Sequence, residues 1–182
     1  MKLKRIGIVV LFIVIFALLT KSVIYNFIFP YKYGSIVNKY ANEYNLDPLL
    51  VLAVIKAESN FNTSAESHKD AHGLMQITDS TAKWAAEKMN LGNYNKENLQ
   101  NPDFNIRMGC WYLDNLKKEF GNMDLVLAAY NGGRGHVNKW LKDNRYSVDG
   151  KNLHNIPFKE TDKYVKKVNI NYNIYKFLYE GK

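Results

Sequence analysis

The sequence contains one cysteine, Cys110, and that scarcity limits what can hold the folded chain together. One cysteine excludes an intrachain disulfide and any multi-cysteine zinc site. We expect Cys110 to be a small core residue on an apolar helical face. The four histidines lack the HExxH-type spacing of a helical zinc site, so we predict neither a metal nor a cofactor. They are His68, His72, His136 and His154.

The sequence also lacks strand patterns and hydrolase motifs. From residue 31 onwards almost no segment alternates apolar and polar residues with the period of two that a half-buried strand requires. Ser67, His68 and Asp70 have the residue types of a hydrolase triad, but neighbouring positions on one loop cannot give the triad geometry, and no G-x-S-x-G is present. These absences favour a mainly helical domain and argue against a serine hydrolase.

Acidic residues are few relative to basic ones. There are 17 Asp and Glu against 25 Lys and Arg, which gives a net charge of +8. Four of the basic residues and none of the acidic ones lie before Pro30, so the rest of the chain keeps only a mild positive bias. This bias suits an anionic wall polymer, and no nucleic-acid-binding motif accompanies it. Lys163, Lys166 and Lys167 form a basic patch at helical spacing, which is either a solvated face or a surface for that polymer.

A long apolar segment lies near the N-terminus. Residues 6–19 carry no charge and follow a basic cluster, and residues 23–29 continue the apolar character. An uncleaved anchor needs about 20 apolar residues, whereas a signal peptide has an apolar core of about 7 to 15 and a small-x-small cleavage site. No small-x-small pair lies around residues 16–20. Residues 1–30 are therefore predicted as a membrane anchor or signal segment, and we favour a single-pass anchor over secretion after cleavage.

With the basic cluster on the cytoplasmic side, residues 31–182 lie outside the cytoplasm and are predicted to form one domain with a single core. Asp47 followed by Pro48 predicts a helix start, and Asn131-Gly132-Gly133 predicts a helix end. The patterns together predict helices at about residues 36–44, 49–58, 78–89, 101–116, 123–130 and 160–178. Segments 90–98 and 144–157 are predicted to be the main loops.

Glu58 ends a largely apolar helix, with Val51, Val54 and Ile55 on the same helical face. Burial beside these side chains and the negative end of the helix dipole both disfavour the charged carboxylate. A carboxyl that keeps its proton near neutral pH is what a general acid needs to protonate a glycosidic oxygen. Periodicity alone fits a simpler interpretation as well, in which Glu58 turns to solvent at the helix end.

Four separated motifs occur in one order along the chain. They are Glu58-Ser59, Gly73-Leu74-Met75-Gln76-Ile77, Ala129-Tyr130-Asn131-Gly132-Gly133, and Ile156-Pro157-Phe158 followed by Glu160 and Tyr164-Val165. In these motifs the chain resembles the soluble lytic transglycosylase family of peptidoglycan-cleaving enzymes over roughly residues 33–175. The resemblance implies a mainly α, lysozyme-like helical domain with a groove that binds the glycan strand, preceded here by one N-terminal membrane-spanning helix.

The resemblance also implies site residues. Glu58 matches the single catalytic acid/base of the family, and the Tyr130 hydroxyl is expected beside it, holding the carboxyl in its reactive orientation. Ser67, nine residues after Glu58, matches a serine that contacts the catalytic region of the bound sugar. The full set of substrate-binding residues implied in this way is Ser59, Ser67, Met75, Gln76, Tyr130, Asn131, Glu160 and Tyr164.

Several of these residues have a structural interpretation when each is taken alone. Met75 alone is typical core filler, and Glu160 alone is a solvated residue near a helix start. Asn131 and the glycines after it are typical of a helix C-cap, and glycines also let a backbone approach a sugar closely. The joint pattern favours catalysis.

The chemistry that the resemblance implies uses one carboxylate where most glycosidases use two. Glu58 protonates the oxygen between N-acetylmuramic acid and N-acetylglucosamine, then takes the proton from the muramic acid 6-hydroxyl as that oxygen attacks C1. The expected partners are peptidoglycan glycan strands and the membrane, and the expected state is a monomer. Two alternatives stay open: a hydrolytic muramidase of the goose-lysozyme type, in which Asp70 serves as a second carboxylate, and a catalytically silent peptidoglycan-binding scaffold.

Overall fold

A computed structural model describes residues 2–92 and 94–181, which fall into two units, Met1–Lys32 and Tyr33–Lys182. The first unit is helix α1, Lys2–Val23, continued by a π-helical turn at Ile24–Ile28. Within it the stretch Leu11–Ile28 has a mean hydropathy of 2.1, and none of it is buried inside the protein. Among the described helices this one is long and apolar enough to cross a membrane.

The second unit is built of seven further helices and one short ribbon, as far as the described residues go. The helices are α2 Gly34–Glu43, α3 Pro48–Glu58, α4 Asp79–Lys88, α5 Pro102–Phe120, α6 Met123–Gly132, α7 Arg134–Leu141 and α8 Lys159–Tyr179. Strands β1 Ala71–His72 and β2 Ile77–Thr78 pair antiparallel, with Ala71 opposite Thr78 and His72 opposite Ile77. A short 3₁₀ turn, Lys96–Gln100, precedes α5.

The predicted helix starts agree with their capping residues. The Asp47 carboxylate accepts the Leu49 N–H at 2.8 Å, the Thr78 hydroxyl accepts from Thr81, and the Asn101 side chain accepts from the first turn of α5. Helix α7, the two-stranded ribbon and the 3₁₀ turn were not predicted. Helix α7 begins directly after Gly133, so the helix end predicted at this glycine is a corner between α6 and α7. Each strand of the ribbon has only two residues, which is too few to show an alternation of apolar and polar residues.

Helix α3 forms the centre of the second unit. Seven of its eleven residues are buried: Leu50, Val51, Leu52, Ala53, Val54, Ile55 and Ala57. Each fully buried Val, Leu or Ile contributes roughly 1.5 to 3 kcal/mol relative to an exposed one, so this helix anchors the core. Its apolar run therefore fixes the position of its last residue, Glu58.

Helix α8 packs along α3 and contacts it at three levels. The Tyr172 hydroxyl donates to the Asp47 carboxylate at 2.6 Å, at the start of α3. Near the middle, the Asn171 side-chain amide donates to the Ala53 carbonyl oxygen at 3.5 Å. At the far end, the Lys167 ammonium donates to the Ala57 carbonyl oxygen at 2.6 Å. Both ends of the helix that carries Glu58 are thus held by one neighbour.

Candidate active site

A cleft of about 510 Å³ opens between the ribbon, helices α4 to α7 and the start of α8. Its lining combines aromatic, amide and charged side chains, among them Gln76, Tyr112, Tyr130, Asn131, His136 and Glu160. Rings with polar edges next to amides are typical of carbohydrate sites, because sugars present both apolar faces and hydroxyl groups. Four of the predicted site residues therefore lie at one cleft: Gln76, Tyr130, Asn131 and Glu160.

Glu58 is partly exposed at the C-terminal end of α3. It is not itself part of the cleft lining, but Tyr130 and Glu160 both line the cleft and both interact electrostatically with the Glu58 carboxyl. Burial raises the pKa of Glu58 from 4.5 to about 7, while the Tyr164 hydroxyl and the Lys167 ammonium lower it and Glu160 raises it further. A pKa raised this far lets the carboxyl keep a proton near neutral pH, in agreement with the direction expected from the sequence.

Two phenols lie near this carboxyl, and they have different roles. The Tyr130 hydroxyl donates to the Met75 carbonyl oxygen at 2.8 Å, so its proton is not directed at Glu58. The Tyr164 hydroxyl is buried and has no partner with full hydrogen-bond geometry among the described residues, although it is close enough to lower the pKa of Glu58. Tyr130 therefore does not donate to Glu58, and its role in orienting the carboxyl stays a prediction. The phenol whose proton is free to reach Glu58 is Tyr164.

Met75 and Ser59 lie behind the cleft instead of in it. The Met75 side chain is fully buried, and its sulfur packs where a side chain on Gly109 would have to be. The Ser59 hydroxyl donates to the Leu74 carbonyl oxygen at 2.8 Å, which ties the end of α3 to the segment before Gln76. The prediction that Met75 contacts the substrate is therefore wrong, because a side chain without exposed surface cannot touch a sugar. The interpretation of Met75 as core filler is correct.

Asn105 of α5 holds the turn between β1 and β2. Its side chain is fully buried, and its carbonyl oxygen accepts the Met75 N–H at 2.8 Å. Its amide nitrogen donates to the His72 and Leu99 carbonyl oxygens, each at 2.9 Å. Gly73 adopts a φ of 73° beside it, where any Cβ would collide with the Leu99 oxygen and with Asn105. All side-chain hydrogen-bonding groups of this amide except one oxygen lone pair are thus used to fix the ribbon turn.

Gln76 ends that turn in the left-handed region, with a φ of 48°. Its amide nitrogen donates to the carbonyl oxygens of Ala65 and Gly73, each at 3.1 Å, which fixes the orientation of the amide because only a nitrogen can face two carbonyls. Among the described residues its Oε1 has no donor partner, and Gln76 lines the cleft. The residue can therefore offer a substrate an acceptor, while both of its donors are already used.

Ser67 shapes the loop that precedes the ribbon. Its hydroxyl oxygen accepts the N–H groups of Lys69 at 3.2 Å and Ala71 at 3.1 Å. Ser67 is not among the residues that line the cleft, although Lys69 is. Its observed contacts are therefore those of a loop-forming serine, and its hydroxyl proton is still available for donation.

Asn131 and Glu160 both line the cleft, Asn131 at the end of α6 and Glu160 in the first turn of α8. The Asn131 side-chain oxygen accepts the hydroxyl proton of buried Thr161 at 2.9 Å, which leaves its amide nitrogen for other partners. Gly132 makes this contact possible, because a Cβ there would lie 2.8 Å from the Thr161 hydroxyl. Glu160 is exposed, and its carboxylate lies 3.4 Å from the ammonium of Lys69, which also lines the cleft.

Asp70 lies outside the cleft lining. Its carboxylate contacts the Lys96 ammonium at 2.5 Å and the His72 Nε2 at 2.9 Å, and these partners, Lys96 first, lower its pKa. The ligand atoms of Glu66, Asp70 and His72 lie within 4.8 Å of one another, but the Lys96 ammonium already provides the cation at Asp70. Asp70 is thus an engaged surface carboxylate, and this contradicts the idea that it serves as a second carboxylate at the cleft.

The fold and cleft define a helical, lysozyme-like domain with one carboxyl at the end of a buried helix. Residues 35–153 match the family model described as the transglycosylase SLT domain, and the chain belongs to this family. The soluble lytic murein transglycosylase of Escherichia coli (strain K12) is 33% identical over 143 residues, covering 77% of this chain and 22% of that protein. The predicted family and the predicted mainly α fold are confirmed.

Two further comparisons extend this result. The membrane-bound lytic murein transglycosylase C of Sodalis glossinidius (strain morsitans) is 36% identical over 117 residues, covering 59% of this chain and 33% of that protein. The X-ray structure of an inactive mutant of lytic transglycosylase Slt from Pseudomonas aeruginosa superimposes with a TM-score of 0.72 at 34% identity, covering 82% of this chain and 24% of that one. The chain thus spans only between 22% and 33% of the length of these relatives.

Proposed function

We propose that this protein is a peptidoglycan lytic transglycosylase, which cleaves the β-1,4 bond between N-acetylmuramic acid and N-acetylglucosamine and leaves a 1,6-anhydromuramic acid end. The observation that carries the proposal is Glu58, a partly exposed carboxyl with a pKa of about 7 at the end of a buried helix, next to a polar and aromatic cleft. Membership of the SLT family and the names of the relatives support the same activity.

One carboxyl performs both proton transfers in this reaction. Protonated Glu58 gives its proton to the glycosidic oxygen as the bond from that oxygen to C1 breaks. The resulting carboxylate takes the proton of the muramic acid 6-hydroxyl as that oxygen bonds to C1, so Glu58 ends protonated and no water is consumed. A pKa near the working pH suits a group that must act first as acid and then as base. The attacking hydroxyl belongs to the substrate, so its proximity replaces a second carboxylate.

The remaining site residues divide into those that contact the glycan and those that support the site. We assign Gln76 Oε1 as an acceptor and the Asn131 amide as a donor for sugar hydroxyl or acetamido groups, because these groups have no other described partner. We assign Tyr164 to orient Glu58, and Ser59 and Tyr130 to hold the segment at Met75. Glu160 and Ser67 are proposed as further substrate contacts, Glu160 from the cleft rim and Ser67 through its hydroxyl proton.

We further propose that residues 1–30 form a single-pass anchor in the cell membrane and that residues 31–182 form the catalytic domain on its extracytoplasmic side, acting as a monomer. The apolar stretch Leu11–Ile28, the basic cluster before it and a relative named as membrane-bound support this arrangement. Full-length protein should remain with the membrane in high salt and be degraded by protease added to spheroplasts. Recovery in the medium with a shortened N-terminus would instead mean secretion after cleavage.

The proposed activity is tested by release of dye-labelled fragments from purified sacculi by the full-length protein in mild detergent. Glu58→Gln keeps the shape of the side chain but cannot supply a proton, so release should fall at least about 1,000-fold. Glu87→Gln, the same change at an exposed position on α4 away from the cleft, is the matched control and should keep full activity. Release by Glu58→Gln at the wild-type rate would refute the assignment. Binding without release by the wild type would instead indicate a silent scaffold.

A further inference from the structure

Lys167 of α8 reaches the C-terminal end of α3, where Glu58 lies. Its ammonium donates to the Ala57 carbonyl oxygen at 2.6 Å, one residue before Glu58. The last four carbonyl groups of a helix have no partner within the helix, and they carry the negative end of its dipole. A cation fixed at this point stabilises the end of α3. It also places a positive charge near the Glu58 carboxyl, which is negative once it has lost its proton.

The positive charge of Lys167 is one of several influences on the protonation of Glu58. Tyr130 of α6 and Tyr164 and Glu160 of α8 also interact with its carboxyl, and the positive charge of Lys167 lowers its pKa. Lys56, the other lysine near the end of α3, has a pKa lowered by burial and by Lys167. When Glu58 gives up its proton, the new carboxylate has the Lys167 ammonium as a nearby positive charge, opposed by the negative charge of Glu160.

We propose that Lys167 is a positioning residue for Glu58, which holds the end of α3 and stabilises the carboxylate that Glu58 becomes between its two proton transfers. The inference rests on the proposed function, in which the same residue must act as acid and then as base. Burial alone would make the carboxylate difficult to form. The fixed ammonium offsets this cost without touching the substrate.

The test compares three changes at Lys167 with a matched control. Lys167→Met removes charge and donor, Lys167→Gln removes the charge but keeps a donor, and Lys167→Arg keeps both. Lys163→Met removes the same charge from an exposed position one turn earlier on α8, where no described group pairs with it. The titration of Glu58 is followed by carbon-13 NMR of the labelled carboxyl in the full-length protein in detergent, with Glu58→Gln used to assign the signal.

Lys167→Met and Lys167→Gln should raise the pKa of Glu58 by roughly half a pH unit, as expected for loss of one partly screened charge. The alkaline limb of the pH profile for sacculus cleavage should move upward by the same amount. Lys167→Arg should restore the wild-type titration, and Lys163→Met should leave it unchanged. A purely structural role would lower the melting temperature of the first two variants but leave the Glu58 titration unchanged, and that result would overturn the inference.

The two readouts separate this inference from the proposed function. The NMR titration needs no turnover, so it decides the effect of Lys167 on Glu58 even if sacculi are not cleaved. An inactive wild type with a shifted titration in Lys167→Gln would refute the transglycosylase activity while retaining the electrostatic contact. An active wild type whose Glu58 titrates identically in all variants would retain the activity and refute the role of Lys167.

Discussion

Replacing Asn105 by leucine should destabilise the turn between β1 and β2, which supports the cleft, although the buried Asn105 side chain does not contact the substrate. The change keeps the volume of the side chain but removes three hydrogen bonds, to the Met75 N–H and to the carbonyl oxygens of His72 and Leu99. Each net hydrogen bond is worth about 1 kcal/mol, and buried groups left without a partner cost more. Because Asn105 is fully buried, we expect a loss of about 3 to 6 kcal/mol in the free energy of unfolding.

This loss is a large part of the stability of a typical domain, about 5 to 15 kcal/mol. It can be measured by denaturant unfolding in mild detergent, followed by tryptophan fluorescence, because Trp84, Trp111 and Trp140 all lie in the second unit. Asn173→Leu, the same change at an exposed position on α8, is the control and should alter stability by less than about 0.5 kcal/mol. A loss below about 1 kcal/mol for Asn105→Leu would show that this amide does not hold the turn.

Two further predictions concern the carboxyl groups. The pKa of Glu58 is about 7 in the folded protein against 4.5 ordinarily, so its contribution to stability is largest below pH 4.5 and is lost as the pH rises through 7. Above pH 7, Glu58→Gln should therefore have a free energy of unfolding about 1 to 3 kcal/mol larger than that of the wild type, as measured by denaturant unfolding. Equal stability of the two proteins would contradict the claim that burial raises the pKa of Glu58. Asp70→Asn should leave the rate and products of sacculus cleavage unchanged in a mass-spectrometric assay, whereas loss of activity would give Asp70 a catalytic role.

The parts of the fold that follow local rules could be predicted from the sequence. Asp47 and Asn101 cap helices where their residue types predict caps, and the apolar run before Glu58 forms the buried helix that its pattern indicates. The corner at Gly133 could not be resolved, because the same glycine can end one helix or precede another. The local sequence predicts where helix α6 ends but not the direction of the chain after that end.

The candidate site could be predicted at the level of residues but not of their roles. Glu58 was identified from its spacing and motif, whereas the contacts of Tyr130 depend on where the Met75 carbonyl lies after folding. The roles of Lys167 and Asn105 could not be predicted from neighbouring residues, because each side chain binds a backbone group far away in the sequence. Lys167 binds the Ala57 carbonyl oxygen, and Asn105 binds the Met75 N–H. A side chain that binds a distant backbone group has no characteristic spacing to its partner.

The most direct test of the account is the mass of the products released from peptidoglycan by the wild-type protein. If Glu58 transfers both protons and the muramic acid 6-hydroxyl is the nucleophile, the fragments end in 1,6-anhydromuramic acid and are lighter by one water than hydrolysis products. Products with ordinary reducing ends would show that water is the nucleophile. They would contradict the single-carboxyl mechanism even if Glu58 proved essential.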